Sequence, residues 1–191
     1  MAEAIQLWDE AVLSSLMQIH HPALTPVMIA ITYLGYFVWI PIAAAMLFFR
    51  RTRRLGILLA IALITAAVLA NFVIKPIVAR PRPYTVLPEL PMLISPPGGF
   101  SFPSGHTISA FAAATVLWFW KWKAALPATV LAGLIGFSRL YLSCHFVTDV
   151  AAGVILGVSI ALLVILVYQL WLGKKYPLRP GRQAPTSRQR S

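Results

Sequence analysis

Residues 146–172 read FVTDVAAGVILGVSIALLVILVYQLWL, an apolar run whose only charge, Asp149, stands near its start. About 20 predominantly apolar residues of helix cross the roughly 30 Å hydrocarbon core of a bilayer, so this stretch is long enough to span. Upstream, Ala125–Leu142, Ser104–Trp120, Leu55–Ile74 and Pro26–Phe49 repeat the pattern, the shorter ones only just reaching the length. The five runs predict an all-α fold, a polytopic transmembrane helix bundle. Composition agrees: 59% of the 191 residues are hydrophobic and 11% are charged, which excludes an ordinary soluble domain. The length suits one domain. It is assigned to residues 1–173, with 174–191 as a basic, proline-containing cytoplasmic tail expected to be disordered near anionic headgroups.

Ahead of the first run, Ile5, Trp8, Val12 and Leu16 recur at helical spacing, while Asp9, Glu10 and Ser14 fall elsewhere around the wheel. The pattern predicts an amphipathic helix lying in the membrane interface. The alternative, a sixth span through this segment, would carry acids to membrane depth at about 3 kcal/mol each. Glu3, Asp9 and Glu10 do not fit the basic leading region of a secretory signal, so no removal of one is expected. Cys144 is the one cysteine, which excludes an intrachain disulfide. The sequence carries no internal repeat and no heptad seam.

A formal charge of +11 would suit nucleic acid if the basic residues formed a surface patch. They instead flank the apolar runs, in Arg50–Arg54, at Lys121 and Lys123, and in the tail. Membrane topology accounts for them, and no nucleic-acid partner is expected. Because cytoplasmic loops carry the excess of Lys and Arg, the three clusters mark the cytoplasmic side of a five-span bundle, and the connections Lys75–Pro103 and Ser143–His145 lie outside. Lys75, Arg80, Arg82 and Arg139 break the rule by standing at outer ends of spans. A cation kept there needs an anionic partner or a functional reason. Between them, Tyr84–Ser101 is too short to span and is broken by Pro88, Pro91, Pro96 and Pro97. Its Leu87, Leu90, Met92, Leu93 and Ile94 either line an entry for lipid tails or pack on the bundle.

Three clusters at these outer ends suit phosphoryl transfer, in which negative charge is neutralised while a nucleophile attacks in line. Lys75 ends the second span, and Pro76, Pro81 and Pro83 stop the helix so that Arg82 can fold back beside it. Each cation read alone is also an ordinary snorkelling residue. Ser104 is placed to cap the helix of the third span, and backbone N–H groups at Gly105 and His106 would face an anion at that helix start. His145 and Asp149, four apart, are expected to share a helix face, with the carboxylate holding the imidazole as a nucleophile. Arg139 adds a third cation; the structural alternative is a simple Arg139–Asp149 ion pair. Arg80 is assigned a contact with a second phosphate or a headgroup, and Cys144 a packing role.

Together, Lys75-x6-Arg82-Pro83, Pro103-Ser104-Gly105-His106 and Ser138-Arg139-x5-His145-x3-Asp149 resemble the three signature motifs of the type-2 phosphatidic acid phosphatase superfamily. The resemblance implies an integral membrane lipid phosphatase that needs no metal and no other cofactor. It implies that His145 attacks phosphorus, Asp149 orients it, and His106 protonates the leaving oxygen and then activates water. Lys75, Arg82, Ser104, Gly105 and Arg139 would hold the phosphate. Members commonly have six spans; here the first is reduced to the amphipathic helix. The favoured substrate is undecaprenyl diphosphate, met on the outer face of the cell membrane, with phosphatidylglycerophosphate, phosphatidic acid and lipid A phosphate as alternatives.

Two other functions fit less well. A lipid or ion transporter needs a site near the midplane reachable from both faces, whereas these charges gather at one end. A vanadate-dependent oxidase shares the constellation in soluble form, against the spans seen here. The topology is testable by itself: in intact cells an impermeant thiol reagent is expected to label a cysteine placed at Glu89 and not one placed at Thr52. Labelling of the second alone would invert the orientation.

Overall fold

Helices that exchange lipid for one another gain little from apolar burial and depend on close packing and on satisfying every polar group. The computed structural model describes residues 2–173, so the tail assigned to 174–191 lies outside the described residues. The described chain is helical, with no strand among the described residues. The elements are α1 (Ala2–Leu16), α2 (Leu24–Phe37), α3 (Trp39–Phe48), α4 (Arg53–Val68), α5 (Lys75–Val78), α6 (Pro83–Val86), α7 (Gly105–Trp118), α8 (Trp122–Tyr141) and α9 (Val147–Tyr168). α2 and α3 form one interrupted rod, because Pro41 has no N–H to offer Phe37.

Among the described residues four stretches are long and apolar enough to cross a bilayer: Leu24–Phe48, Arg53–Val86, Trp122–Tyr141 and Val147–Leu172. The expected Ser104–Trp120 span is instead the 14-residue α7, about 21 Å at 1.5 Å per residue and shorter than a hydrocarbon core. α7 is enclosed by α4, α8 and α9. Thr107, Ile108, Ala110, Ala112, Ala113, Ala114, Val116 and Leu117 are all buried, so most of its surface meets protein rather than lipid.

α1 also departs from a simple amphipathic reading. Ile5, Leu7 and Trp8 face outward, while Asp9 and Leu13 are buried against the bundle. One buried charge, Asp9, thus points in beside Leu13, while three large apolar side chains point out. The 84–101 segment packs on the helices: Leu90 sits with Leu13 and Phe146, and Leu93 and Ile94 lie against Met28, Tyr141 and Leu142. Of its large apolar side chains, Val86, Met92 and Phe100 stay exposed.

α7 and α9 run parallel from the same end, and glycine sets how closely they approach. A Cβ at Gly153 would lie 2.9 Å from Thr107 Cβ and 3.1 Å from the Ser104 carbonyl. One at Gly157 would run into the Ile108 carbonyl oxygen. Glycine and alanine at four-residue spacing, Gly153, Gly157 and Ala161, let the two backbones meet. Gly157→Ala is therefore expected to lower the melting temperature in detergent, by overpacking worth about 1–3 kcal/mol, although alanine is the better helix former. Gly133→Ala, where an added Cβ meets nothing within 4 Å, is expected to leave it unchanged or raise it. Equal effects at the two sites would contradict the close approach.

Candidate active site

Local breaks in the helices place each polar side chain. Between α4 and α5 the backbone is π-helical over Leu69–Ile74, which re-aims the chain beyond it. Lys75 comes next, and its Nζ donates to Asn71 Oδ1 at 3.0 Å. Ala79 then adopts a left-handed conformation at φ 47°, a turn that ends a helix. With Pro81 and Pro83 it sends the chain back over the bundle. Arg82 is buried there and donates to three carbonyls, Gly99 at 2.9 Å, Cys144 at 2.9 Å and Gly98 at 3.0 Å. The proline-rich segment is thus tied down by the arginine that precedes it, and Tyr84 Oη adds a bond to the Pro97 carbonyl at 2.7 Å.

α8 ends in the same manner. Ser143 is left-handed at φ 54°, the Cys144 N–H reaches back to the Arg139 carbonyl at 3.0 Å, and His145 is returned toward the bundle. The expected shared helix face is corrected here: α9 begins at Val147 with Phe146 as its N-cap residue, so His145 lies in the connection and meets Asp149 from outside the helix. Their closest approach is 3.5 Å, Nδ1 to Oδ2. Ser101 stands beside both, its hydroxyl donating to Asp149 Oδ2 and lying 3.4 Å from His145 Nδ1. Asp149 Oδ2 also accepts the Phe146 N–H at 2.8 Å. On the other side of the ring, His145 Nε2 is 3.4 Å from Arg82 Nη1. Burial pushes the His145 pKa down to about 4, helped by Arg139 and Arg82 and opposed by the Asp149 carboxylate. The imidazole is consequently neutral at pH 7.

Ser104 occupies the N-cap position of α7, yet its side chain makes no cap bond. Its hydroxyl accepts instead from Thr107 at 2.9 Å, and its N–H donates to the Asp149 carbonyl at 3.1 Å. The reason is burial: Ser104 and Thr107 are both inaccessible between α7 and α9. Gly105 is open, since a Cβ there would meet no atom within 4 Å, which leaves the helix start approachable by an anion. Arg139, also buried, is held by Thr32, whose hydroxyl accepts from Nη1 at 2.6 Å.

One cavity of about 340 Å³ collects Lys75, Arg82, Gly105, His106, Arg139 and His145. Ser104 and Asp149, the other two candidates, lie buried behind its wall. The cavity continues along Trp39, Leu63, Ala66 and Ala67, between α3 and α4, where its walls are apolar. Cys144 is a buried packing residue whose thiol donates to the Leu142 carbonyl. Asp149 pairs with Arg80 at 2.7 Å, so the ion pair that forms is not the Arg139–Asp149 alternative. One expectation fails: Arg80 is not directed to a second phosphate or a headgroup, since it pairs with Asp9 at 2.8 Å as well. Ser101, Thr32 and Asn71 are invisible in the sequence because single hydroxyls and amides carry no spacing signal. Asp9 and Arg80 did leave one, an acid ahead of the first apolar run and a cation at the end of the second, neither with a partner close in sequence.

Comparison with known proteins places the chain in a family. The PAP2 superfamily model matches residues 54–172. The undecaprenyl-diphosphatase of Sulfolobus acidocaldarius is 36% identical over 66% of this chain, which spans 62% of that protein. Phosphatidylglycerophosphatase B of Bacillus subtilis is 34% identical over 84% of this chain and 83% of its own length. The crystal structure of a transmembrane PAP2-type phosphatidylglycerolphosphate phosphatase from Bacillus subtilis superposes with a TM-score of 0.75 at 34% identity, covering 88% of each chain. With the family model covering more than half of its length, the chain belongs to the PAP2 superfamily and is a membrane phosphatase of that family.

Proposed function

We propose that the enzyme hydrolyses the phosphomonoester or diphosphate of a membrane lipid through a phosphohistidine at His145. The observation that carries this reading is the gathering of Lys75, Arg82, Gly105, His106, Arg139 and His145, from three separated segments, around one cavity. Its charged end suits a phosphate and its apolar end, along Trp39, Leu63, Ala66 and Ala67, suits a lipid chain.

The two imidazole nitrogens divide the work. Nδ1 faces Ser101 and Asp149, so the proton stays on that side and Nε2 carries the free lone pair. Nε2 attacks phosphorus; the P–N bond forms as the bond to the lipid oxygen breaks, and that oxygen takes a proton from His106. Asp149 supports the positive charge that develops on the ring. Water then attacks phosphorus, giving its proton to His106, and the P–N bond breaks to release phosphate. Lys75, Arg82 and Arg139 neutralise the charge on the phosphate oxygens throughout, Arg82 offering the planar fork suited to them, and the start of α7 at Gly105 contributes its dipole. The three cations supply charge that a metal ion supplies in other phosphatases.

The favoured substrate is undecaprenyl diphosphate, on the outer face of the cell membrane; the likeness to the archaeal undecaprenyl-diphosphatase supports it. The pairing of Arg80 with Asp9 and Asp149 removes one argument for a diphosphate. The likeness to phosphatidylglycerophosphatase B, over more of both chains, favours phosphatidylglycerophosphate as the second reading. In mixed micelles kcat/KM is expected to be at least about tenfold higher for the prenyl diphosphate; the reverse order would move the assignment to the glycerophospholipid.

His145→Ala is expected to abolish turnover in protein that stays folded in detergent, and retention of more than about a tenth of the rate would contradict a nucleophile. Activity is expected to survive EDTA and to be inhibited by vanadate. A loss in EDTA that magnesium restores would contradict the cation-only site. Because an imidazolium has no lone pair, activity falls as His145 gains a proton, and the acid limb of kcat/KM that belongs to it is expected near pH 4. A limb near the ordinary histidine value of about 6.5, not traceable to the substrate's own ionisation, would show that burial does not hold the ring neutral.

A further inference from the structure

The mechanism uses Asp149 but leaves unexplained what it faces on its far side. Arg80 Nη1 donates to Asp149 Oδ1 at 2.7 Å and to Thr148 Oγ1 at 2.7 Å. Its Nη2 donates to Asp9 Oδ2 at 2.8 Å and to Gln6 Oε1 at 2.5 Å. Asp9, in α1, in turn accepts the Thr148 N–H at 3.0 Å and the Thr148 hydroxyl. Both carboxylates are fully buried, and Arg80 lies with its Cζ 4.0 Å from the centre of the Phe146 ring. The guanidinium is therefore shared between two acids, one on α1 and one behind the nucleophile. None of Gln6, Asp9, Arg80 and Thr148 lines the cavity.

We infer that Arg80 and Asp9 are positioning residues for the reaction: Arg80 fixes the Asp149 carboxylate against His145, and Asp9 holds Arg80 while drawing off part of its charge. The inference rests on His145 as nucleophile. A carboxylate buried beside an imidazole takes its orientation and its effective charge from every donor it meets. Among the described residues Arg80 is the one cation paired with Asp149 Oδ1, so removing it would leave two buried acids without their shared cation and the ring in a more negative field. Removing the charge of Asp9 would do the opposite, because the whole guanidinium charge would then fall on Asp149. N-terminal helix α1 thereby becomes part of the catalytic apparatus rather than an external support.

The two substitutions have opposite signs, which a merely structural role cannot imitate. The charged and titratable groups facing His145 in both variants, Asp149, Arg82, Arg139, His106 and Lys75, are untouched. In the full-length protein in detergent, with a substrate whose phosphate ionisation is measured separately, Arg80→Gln is expected to move the acid limb of kcat/KM upward by at least about half a pH unit. Asp9→Asn is expected to move it downward. Both are expected to lower kcat at least tenfold with KM changed less than threefold, since neither side chain meets the phosphate. Arg80→Lys, which keeps the charge but cannot span both acids, is expected to place the limb between those of Arg80→Gln and Asp9→Asn, with reduced kcat. Shifts in the same direction, or none in variants that elute and melt as folded protein, would overturn the inference. If Arg80→Gln does not fold, the downward shift in Asp9→Asn decides alone, and its absence is fatal. Activity in His145→Ala would instead remove the nucleophile itself, a separate failure.

Discussion

A carboxylate placed at the head of a membrane helix has to be matched, because a buried charge without partners costs several kcal/mol. Asp149 is that carboxylate, and the architecture around it follows from satisfying it. Its two oxygens take Arg80, Ser101 and the Phe146 N–H, with His145 at 3.5 Å. The partners come from separate stretches of chain, so the acid gathers the end of α5, the 84–104 connection and the start of α9 to one point. Through Arg80 it also gathers α1. A single ion pair would stabilise little in itself; the importance of this one lies in fixing geometry at the place where the imidazole must be held.

The bundle makes that placement rigid. α7 and α9 start at the same end and approach so closely that glycine is required between them, which sets the Gly105 end of α7 beside the Asp149 end of α9. The Ser104 N–H bonded to the Asp149 carbonyl ties the two starts together. Two left-handed residues, Ala79 and Ser143, then turn the chain back where helices α5 and α8 end, delivering Arg82 and His145 to the same cavity. The three cations of the cavity are each oriented by the protein: Arg82 by three carbonyls, Lys75 by Asn71, Arg139 by Thr32.

Much of this was legible from residue type and spacing. The apolar runs announced the membrane helices, and six of the eight predicted site residues do meet in one cavity. What spacing could not give was anything that depends on where a helix begins. The four-residue interval from His145 to Asp149 reads as one helix face, but the chain enters the helix after His145. The apolar run Ser104–Trp120 is helical over the 14 residues of α7, shorter than the run itself. Arg80 was recognised as a cation out of place, and the rule that such a charge needs an anion was the right one. The anions are Asp149 and, from α1, Asp9, and only three-dimensional packing brings the three together.

The central claim is that His145 carries the phosphoryl group. Rapid acid-free quenching of a single turnover with a lipid substrate labelled in its terminal phosphate, followed by peptide mapping, tests it most directly. The account predicts an alkali-stable, acid-labile phosphate on the peptide containing His145, formed before free phosphate appears and absent from His145→Ala. Release of labelled phosphate at the full rate with no label on His145 at any time would contradict it.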